Sequence, residues 1–245
     1  MTQFEKRSGV YRVRTWTIVS FISADRGTDM TVSNWHTYLV TDASLSEGRT
    51  TLEIVRAAID GGVDAIQLRE KGTDARFRYE LGRELRELTA EAGVDLIIND
   101  RVDIARAIDA DGVHVGQSDL PVAAVRNLLG PDAVVGCSTS TLEEARQAEA
   151  AGADYLGVGT IYGTTSKDVA AEKDGVGPER VADIVASVSI PVVGIGGITA
   201  ENAGPVVESG ATGVAVISEI TAATDPAAAT AALAEAVETA KTVED

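Results

Sequence analysis

The stretch GGVDAIQLREKG, residues 61–72, contains the pattern that decides the fold. It joins a glycine turn to a short apolar run and then to a polar, charged loop. A glycine just past the last turn of a helix can adopt the left-handed conformation that ends the helix. A similar glycine turn and apolar run recur at residues 109–113, 151–155 and 209–213. Each copy predicts the end of one helix and the start of a strand, so we assign these turns a structural role.

On both sides of these turns, short apolar runs alternate with stretches of helical periodicity. The apolar runs predict strands at residues 36–40, 65–68, 96–98, 112–115, 134–136, 155–158, 192–195 and 213–217. Helical spacing is found, for example, at residues 51–60, 75–92, 141–151, 179–187 and 226–240. Such an unbroken alternation favours a closed barrel over an open sheet, and 245 residues fit the usual barrel size of about 250. We therefore predict the α/β class and a single-domain (β/α)₈ TIM barrel in residues 31–245.

The composition agrees with such a barrel and argues against other classes. Hydrophobic residues make up 44% of the chain but aromatics only 4%, which predicts a core of Val, Ile, Leu and Ala. The net charge of −17 argues against a nucleic-acid partner. The basic residues are 16 Arg and only 5 Lys. An acid-rich, Lys-poor surface predicts a halophilic protein, because salt screens its self-repulsion; an ordinary acidic enzyme is the alternative.

Residues 1–30 differ from the rest of the chain. Basic residues at positions 6, 7, 12 and 14 precede a short apolar run at residues 16–22. This segment resembles a signal peptide only superficially, because no convincing cleavage site follows, and the run is too short to span a membrane. We expect a disordered N-terminal extension or a start-site artefact, and a cytoplasmic protein with no membrane partner. The single cysteine, Cys137, excludes an internal disulfide framework and a multi-Cys metal site.

The residues suited to chemistry follow the predicted strands, where barrel enzymes place their active sites. At the end of the second strand, Gln67, Arg69 and Lys71 alternate along the chain, so all three should point into the barrel mouth. Two cations that converge in an acidic protein suggest a bound phosphate group. The alternative is a solvated run of charges in which Glu70 is the partner.

A pair of carboxylates follows the next two strands. Asp100 lies in the segment NDR, residues 99–101, and Asp119 ends the segment GQSD, residues 116–119. Mg²⁺ is commonly bound by one or two carboxylates together with substrate phosphates and water. The pair therefore predicts a Mg²⁺ site beside the phosphate. Either aspartate alone could instead cap the following helix, since Asp119 stands directly before a Leu-Pro pair.

Several residues near the fourth and fifth strands are open to more than one interpretation. His114 lies inside a strand, where a lone histidine is more often a hydrogen-bonded core group than a catalyst. Ser138 is our choice as a phosphate ligand. Cys137 has no histidine near it in sequence, which argues against a nucleophilic role. Thr141 and Glu144 have the spacing of a capping box at the start of a helix.

The longest connection at this face runs from residue 159 to residue 177. It carries Thr164, Ser166 and Lys167, which together predict an anion grip. Long ordered loops of compact barrels are usually lids or binding loops, so this segment is expected to close over the substrate.

A second phosphate site is predicted on the far side of the mouth. The segment GIGGI, residues 194–198, includes Gly196 and Gly197, and Ile217 and Ser218 follow the eighth strand. In barrels, backbone N–H groups and a helix N-terminus at this place hold a phosphomonoester. Two phosphate sites with a metal site between them imply two phosphorylated substrates, or one substrate with phosphates at both ends.

Taken in order, these motifs resemble the thiamine phosphate synthase family. The segments are QLREK at 67–71, NDR at 99–101, DGVHVGQSD at 111–119, the loop at 164–167 and GIGGI at 194–198. The similarity extends from about residue 38 to residue 236. Five motifs in register are specific, whereas any one of them alone is not. The resemblance implies a transferase of thiamine biosynthesis that condenses 4-amino-2-methyl-5-hydroxymethylpyrimidine pyrophosphate with 4-methyl-5-(2-phosphoethyl)thiazole, giving thiamine monophosphate and pyrophosphate.

The resemblance also implies roles for the site residues. The groups that hold the pyrophosphate, and assist its departure, would be Arg69, Lys71, Asn99, Ser138 and Lys167. Asp100 and Asp119 would bind Mg²⁺, and Gln67 would face the aminopyrimidine. The thiazole phosphate would be held by Thr164, Ser166, Gly196, Gly197, Ile217 and Ser218. In this family the pyrophosphate leaves first and the thiazole nitrogen attacks the resulting cation, so the site must stabilise the leaving charge and exclude water.

Some positions depart from the family pattern, and two other functions stay open. Ser140 replaces the usual histidine, Thr160 and Gly163 replace prolines, and the acidic residue after the loop lysine is shifted to Asp168. One alternative is a thiazole tautomerase-like isomerase, which would need an acid–base histidine near residue 140. The other is a non-catalytic phosphate-binding barrel that senses thiamine intermediates. The sequence leaves the oligomeric state open and allows a homo-oligomer.

Overall fold

The computed structural model describes residues 32–163 and 175–242. Within these ranges, parallel strands form a closed barrel in sequence order, and β1 pairs with both β2 and β8. The strands are β1 (Thr37–Val40), β2 (Ala65–Leu68), β3 (Asp95–Asn99), β4 (Gly112–Val115), β5 (Val134–Thr139), β6 (Tyr155–Val158), β7 (Val192–Ile195) and β8 (Gly213–Val216). The predicted (β/α)₈ barrel is therefore confirmed.

Helices follow the strands and surround the barrel. They are α1 (Thr51–Asp60), α2 (Ala75–Ala92), α3 (Val102–Ile108), α4 (Val122–Leu129), α5 (Leu142–Ala150), α6 (Pro178–Val185), α7 (Gly204–Glu208), α8 (Ser218–Thr221) and α9 (Pro226–Thr242). Capping boxes at Thr50 and Thr141 fix the starts of α1 and α5. An N-cap residue of this kind contributes about 1 kcal/mol. The capping box predicted from Thr141 to Glu144 is thus confirmed.

The strand boundaries differ from the prediction mainly at β5. This strand continues to Thr139, three residues past the predicted end, because Cys137, Ser138 and Thr139 pair with Leu156, Gly157 and Val158 of β6. Because this segment is polar, the sequence did not predict that the strand continues through it. As a result Ser138 lies within the sheet, where a ladder of backbone hydrogen bonds holds it in place.

The core has two layers with different compositions. Between strands and helices it is built almost entirely of Val, Ile, Leu and Ala, as predicted. Inside the barrel, the prediction of an aliphatic core is wrong. Trp35, Tyr38 and Tyr155 pack there against aliphatic side chains, with ring centroids 5.1–6.3 Å apart. Three aromatic rings fill the barrel interior even though aromatics are rare in the chain.

Aspartates in the predicted glycine turns join neighbouring strands at the amino ends of the barrel. The Asp64 carboxylate, just before β2, accepts hydrogen bonds from the backbone N–H groups of His36 and Thr37 at the start of β1, both at 2.9 Å. Asp111 accepts from Leu96 in β3, and Asp154 accepts from Val135 in β5. The predicted left-handed glycine is present in the turns at residues 61–65, 151–155 and 209–213, whereas at residues 109–113 the left-handed residue is Asp109 and Gly112 lies in β4.

The described residues all belong to one compact unit within residues 31–245. The prediction of an N-terminal extension falls on residues outside the described ranges. In the part of the chain that the structure describes, no helix is long and apolar enough to cross a membrane.

Candidate active site

The described residues for which we expect a chemical role lie at the carboxyl ends of the strands or in the loops that follow. In chain order they are Gln67, Arg69, Lys71, Asn99, Asp100, Asp119, Ser138, Gly196, Gly197, Ile217 and Ser218. Because all strands are parallel, their carboxyl ends open onto one face of the barrel. The loop residues Thr164, Ser166 and Lys167 lie outside the described ranges.

The end of β2 brings an amide and a cation into the barrel mouth. Gln67 is buried and its Nε2 donates to the Tyr38 hydroxyl at 2.8 Å. Arg69 is only 7% exposed, and its Nη1 lies 3.0 Å from Oδ2 of Asp42, in the loop after β1. Lys71 is exposed. The guanidinium is thus held in place by a neighbouring carboxylate, whereas the ammonium of Lys71 faces solvent.

Glu70 has a different role from the one considered in the sequence. Its carboxylate accepts hydrogen bonds from the backbone N–H of Ala43 at 3.0 Å and from the hydroxyl of Thr51 at 2.8 Å. Glu70 is itself buried. It therefore ties the end of β2 to the loop after β1 and to α1, and the alternative of a solvated charge run partnered by Glu70 is wrong.

Asp100 and Asp119 form a carboxylate pair beside these groups. Burial raises the pKa of Asp100, and the hydrogen bond and negative charge of Asp119 raise it further, while Lys71 and Asn99 act in the opposite direction. Asp100 has a left-handed backbone, with φ of 59°, and its N–H donates to the His114 carbonyl at 2.9 Å. A shared hydrogen bond between two acidic side chains marks a place where a cation is favoured.

Within the described residues, neither aspartate acts as a helix cap. The residue before α3 is Arg101 and the residue before α4 is Pro121. The Asp119 carboxylate instead accepts from the backbone N–H of Gly116 at 2.8 Å. The capping alternative is therefore wrong for both residues, and both carboxylates remain at the mouth.

The donor set of this pair fits Mg²⁺. Among the described residues, no cluster of three or more His, Cys, Asp or Glu side chains could hold a metal ion. Two carboxylates would leave most coordination positions to water and substrate phosphate, which is the usual arrangement for Mg²⁺ in phosphate sites. The predicted Mg²⁺ site is thus compatible with the side chains present.

A hydrogen-bonded series of side chains crosses the barrel interior below the mouth. The Tyr38 and Tyr155 hydroxyls are 3.0 Å apart, and the Tyr155 hydroxyl lies 2.9 Å from Nδ1 of His114. Nε2 of His114 lies 2.8 Å from Oγ of Ser138. His114 is a buried, hydrogen-bonded core group, as we expected, but it also contacts a candidate substrate ligand.

Cys137 and Ser140 flank Ser138. Burial, followed by the charges of Glu144 and Asp119, raises the pKa of the Cys137 thiol to about 11. A thiol of that pKa is protonated at neutral pH, which agrees with the expectation that Cys137 is not a nucleophile. Oγ of Ser140 lies 3.4 Å from the Gly159 carbonyl oxygen, at the edge of the cavity described next.

A cavity of about 150 Å³ extends from the end of β5 to the ends of β7 and β8. Its lining includes Ser138, Ser140, Gly157, Thr160, Gly196, Gly197, Ile217 and Ser218. Gly196 has φ of 109°, and a Cβ at this residue would lie 2.3 Å from Cγ2 of Thr160. Gly197 has φ of 65°, and a Cβ there would lie 2.3 Å from the Gly163 carbonyl oxygen. Only glycine suits these two positions.

Three residues near the site were missed by the sequence analysis. Asp42 follows β1 just as the other candidates follow their strands, so its position was the available signal. Tyr38 and Tyr155 occupy inward positions of β1 and β6, where strand alternation would have placed their hydroxyl groups inside the barrel. A polar group at an inward strand position is the signal that could have identified them.

Comparison with known proteins assigns the chain to a family. A family model described as thiamine monophosphate synthase matches residues 37–220. The chain belongs to the thiamine monophosphate synthase family. A thiamine-phosphate synthase from Haloarcula marismortui is 62% identical over 84% of this chain and 98% of its own length. One from Natronomonas pharaonis is 61% identical over 82% of this chain and 94% of its own length.

A solved structure agrees with this assignment. The thiamine phosphate pyrophosphorylase from Pyrococcus furiosus is 41% identical and superposes with a TM-score of 0.78. The match covers 85% of this chain and 98% of that one. The activity of this family member is accordingly that of a thiamine-phosphate synthase, a transferase. The isomerase and sensor alternatives are set aside.

Proposed function

We propose that the barrel mouth holds the two substrates of thiamine phosphate synthesis side by side. The pyrimidine pyrophosphate would lie over β2–β5 and the thiazole phosphate over β6–β8. The observation that carries this arrangement is the cavity that joins Ser138, at the end of β5, with Gly196, Gly197 and Ser218. In the reaction, the bond between the pyrimidine methylene carbon and the pyrophosphate oxygen breaks. A bond from the thiazole nitrogen to the same carbon then forms.

The residues near β2–β5 stabilise the leaving group. Arg69 and Lys71 supply positive charge, and Asn99 and Ser138 supply hydrogen-bond donors. Lys167 is assigned to the same group on the basis of sequence. Positive charge and donors aimed at a departing anion act most strongly where water is excluded. The ion pair between Arg69 and Asp42 fixes the guanidinium before substrate binds, so little reorganisation is needed at the moment of bond cleavage.

Asp100 and Asp119 would hold Mg²⁺ in this site. Mg²⁺ bound there neutralises negative charge on the pyrophosphate, which makes it a better leaving group. Burial and, after it, the neighbouring Asp119 raise the pKa of Asp100, and this supports the assignment because a divalent cation favours the ionised carboxylates and relieves their repulsion.

The bond-forming step needs no general base. The thiazole nitrogen attacks through its own lone pair, and the ring keeps the positive charge that the pyrimidinylmethyl cation carried. Gln67 would orient the aminopyrimidine through its amide. The role of the protein is therefore to align the two reacting atoms and to keep water away from the cation.

The thiazole phosphate would occupy the cavity at β7 and β8. Backbone N–H groups at Gly196, Gly197, Ile217 and Ser218 are suited to a phosphomonoester. Because a side chain at either glycine would clash with the loop after β6, the chain can come close to an anion there. Thr164 and Ser166 would add hydroxyl groups from the loop.

The acidic composition supports the proposal that the protein is active at high salt. We propose the cytoplasm as the place of this activity. The net charge of −17 creates self-repulsion that salt screens, and relatives at 57–62% identity come from halophilic organisms. We expect both stability and activity to increase between low and molar KCl.

One assay tests the proposed function. The purified full chain is incubated with the pyrimidine pyrophosphate, the thiazole phosphate and Mg²⁺, at low and at molar KCl. We expect thiamine phosphate and pyrophosphate in equal amounts, and no product after addition of a chelator. Folded protein that forms no product at any salt concentration would overturn the proposal, and product formation unaffected by chelator would remove Mg²⁺ from it.

A further inference from the structure

One direction of hydrogen bonding gives every proton of the buried series below the mouth an acceptor. Nε2 of Gln67 donates to the Tyr38 hydroxyl. Either tyrosine hydroxyl could be the donor in the contact between Tyr38 and Tyr155; because the Tyr38 hydroxyl already accepts from Gln67, its own single proton finds an acceptor when it donates to Tyr155. Tyr155 in turn donates to Nδ1 of His114. Nδ1 is then an acceptor, and the ring proton of neutral His114 must be on Nε2, facing Ser138.

We propose that Tyr38, Tyr155 and His114 are positioning residues that make the Ser138 hydroxyl a hydrogen-bond donor toward the pyrophosphate. His114, held as the Nε2–H tautomer, donates to Oγ of Ser138. The hydroxyl proton of Ser138 is thereby directed away from the imidazole and into the cleft. This inference rests on the proposed function, since it assumes that Ser138 contacts the leaving group.

The direction matters because the two ends of the series meet the same substrate. Reversing it would require Gln67 to turn its carbonyl oxygen toward Tyr38. The Ser138 hydroxyl would then donate to His114 and present its lone pairs to an anion, which is repulsive. In the proposed direction, Ser138 can donate to the pyrophosphate while Gln67 keeps its carbonyl oxygen for the pyrimidine amino group.

The surrounding structure holds these side chains in one arrangement. A Cβ at Gly136 would lie 2.2 Å from Cζ of Tyr155 and 2.5 Å from Nδ1 of His114, so the missing side chain leaves the space that both rings occupy. Trp35 packs against both tyrosine rings, with centroids 5.2 and 5.1 Å away. Burial also raises the pKa of both tyrosines, so each hydroxyl keeps the proton that the series requires.

Nitrogen NMR of the histidine rings tests the direction without any substrate. The chain has two histidines, His36 and His114, so a protein labelled with ¹⁵N-histidine gives a simple spectrum. His36→Gln removes the other signal. We expect the His114 ring to have its proton on Nε2 and none on Nδ1. Tyr155→Phe should populate the second tautomer, whereas Tyr79→Phe, on the exposed face of α2, should leave the spectrum unchanged. A proton on Nδ1 in the wild-type protein would overturn the proposal.

Steady-state kinetics test whether the series acts through Ser138. Tyr155→Phe should reduce kcat/KM for the pyrimidine pyrophosphate by about tenfold, the loss of one hydrogen bond to a charged group. In a Ser138→Ala background the same substitution should cause no further loss. A purely structural effect would reduce activity equally in both backgrounds, and that result would overturn the proposal.

Variants of His114 provide an independent check. In the His114→Gln variant the side-chain amide N–H can reach toward Ser138. In the shorter side chain of the His114→Asn variant it cannot. We expect the Gln variant to retain several-fold more activity than the Asn variant, and the reverse order would contradict the proposal. If Ser138→Ala itself has normal kinetics, this inference fails although thiamine phosphate is still formed. If the wild-type protein forms no product, it is the proposed function that fails.

Discussion

Arg69 and Asp42 form an ion pair across the ends of neighbouring strands, with 3.0 Å between Nη1 and Oδ2. The pair joins the loop after β1 to the cation after β2, and Arg69 is almost fully buried within it. A buried guanidinium with a fixed carboxylate partner keeps one orientation, which suits the recognition of a phosphate group. The orientation of Arg69, which we propose as a pyrophosphate ligand, therefore depends on a residue in a different loop.

Removal of this partner should weaken pyrophosphate binding. Asp42→Ala leaves Arg69 without the group that orients it, so we expect KM for the pyrimidine pyrophosphate to increase about tenfold. Asp42→Asn retains one acceptor and should have a smaller effect. The control is Asp103→Ala, which breaks the exposed pair with Arg101 and should change KM little. A KM for Asp42→Ala within twofold of wild type would remove Asp42 from the site.

Asp100→Asn should stabilise the metal-free protein at neutral pH. The pKa of Asp100 is raised in the fold, so its ionised form destabilises the folded state, and this cost disappears as the pH falls below the ordinary aspartate pKa. Asparagine tolerates the left-handed backbone at this position, so the substitution adds little strain. Thermal unfolding without Mg²⁺ should show a higher Tm for the variant at pH 7 and equal Tm values near pH 3.

The same variant should respond less to Mg²⁺. In the wild-type protein Mg²⁺ should raise Tm, and should do so less as the pH is lowered, because protons compete for Asp100. Glu149→Gln is the control for the stability measurement, and its pKa shift has the opposite sign to that of Asp100. Hydrogen bonds from Ser189 lower the pKa of Glu149, so its ionised form does not destabilise the folded protein. That variant should not be stabilised at pH 7. An unchanged response to Mg²⁺ in Asp100→Asn would exclude Asp100 as a ligand.

Gly196→Ala should damage both the fold and the thiazole phosphate site. The added Cβ would lie 2.8 Å from Cα of Thr160 and closer still to its side chain, at a φ that alanine rarely adopts. We expect a loss of stability of about 1–3 kcal/mol and a higher KM for the thiazole phosphate. Gly204→Ala is the matched control, because the nearest atom to its Cβ is 3.9 Å away. The control should have near-normal stability; an equal effect in both variants would contradict the special role of Gly196.

Lys167→Ala should reduce turnover without unfolding the protein. This prediction rests on the sequence, because Lys167 lies outside the described residues. Removal of a cation that stabilises a leaving anion should lower kcat by about 100-fold or more. Lys241→Ala, in the last turn of α9, is the control and should leave kcat unchanged. Circular dichroism would show whether both variants fold. A near-normal kcat for Lys167→Ala would contradict the assignment of Lys167 to the groups that stabilise the leaving pyrophosphate.

The fold was predictable because its signals are local. Three of the four repeated turns combine a helix-ending glycine with the next apolar run, and the carboxylate pair followed from the order of β3 and β4. The end of β5 was not predictable, since its last residues are polar and become part of the strand only by pairing with β6. Local composition contains no information about such a partner.

The contacts within the site depend on geometry that the sequence does not encode locally. Glu70 is adjacent to Arg69, yet the partner of Arg69 is Asp42, from another loop. Tyr38 and Tyr155 are 117 residues apart in the chain and meet only because the barrel closes. The sequence predicts which groups are available at the mouth. Closure of the barrel determines which of them are hydrogen-bonded to one another.

The aspartates at the amino ends of the strands have a consequence for how the barrel comes apart. Asp64 links β2 to β1, Asp111 links β4 to β3, and Asp154 links β6 to β5, whereas Thr212 holds the corresponding place before β8. In three strand pairs, a carboxylate is thus hydrogen-bonded between the amino ends of the two strands. Each of these pairs is connected by one helix. Opening of the barrel must break these bonds, so we expect the amides of His36, Thr37, Leu96 and Val135, which donate to the three carboxylates, to exchange slowly with solvent hydrogen.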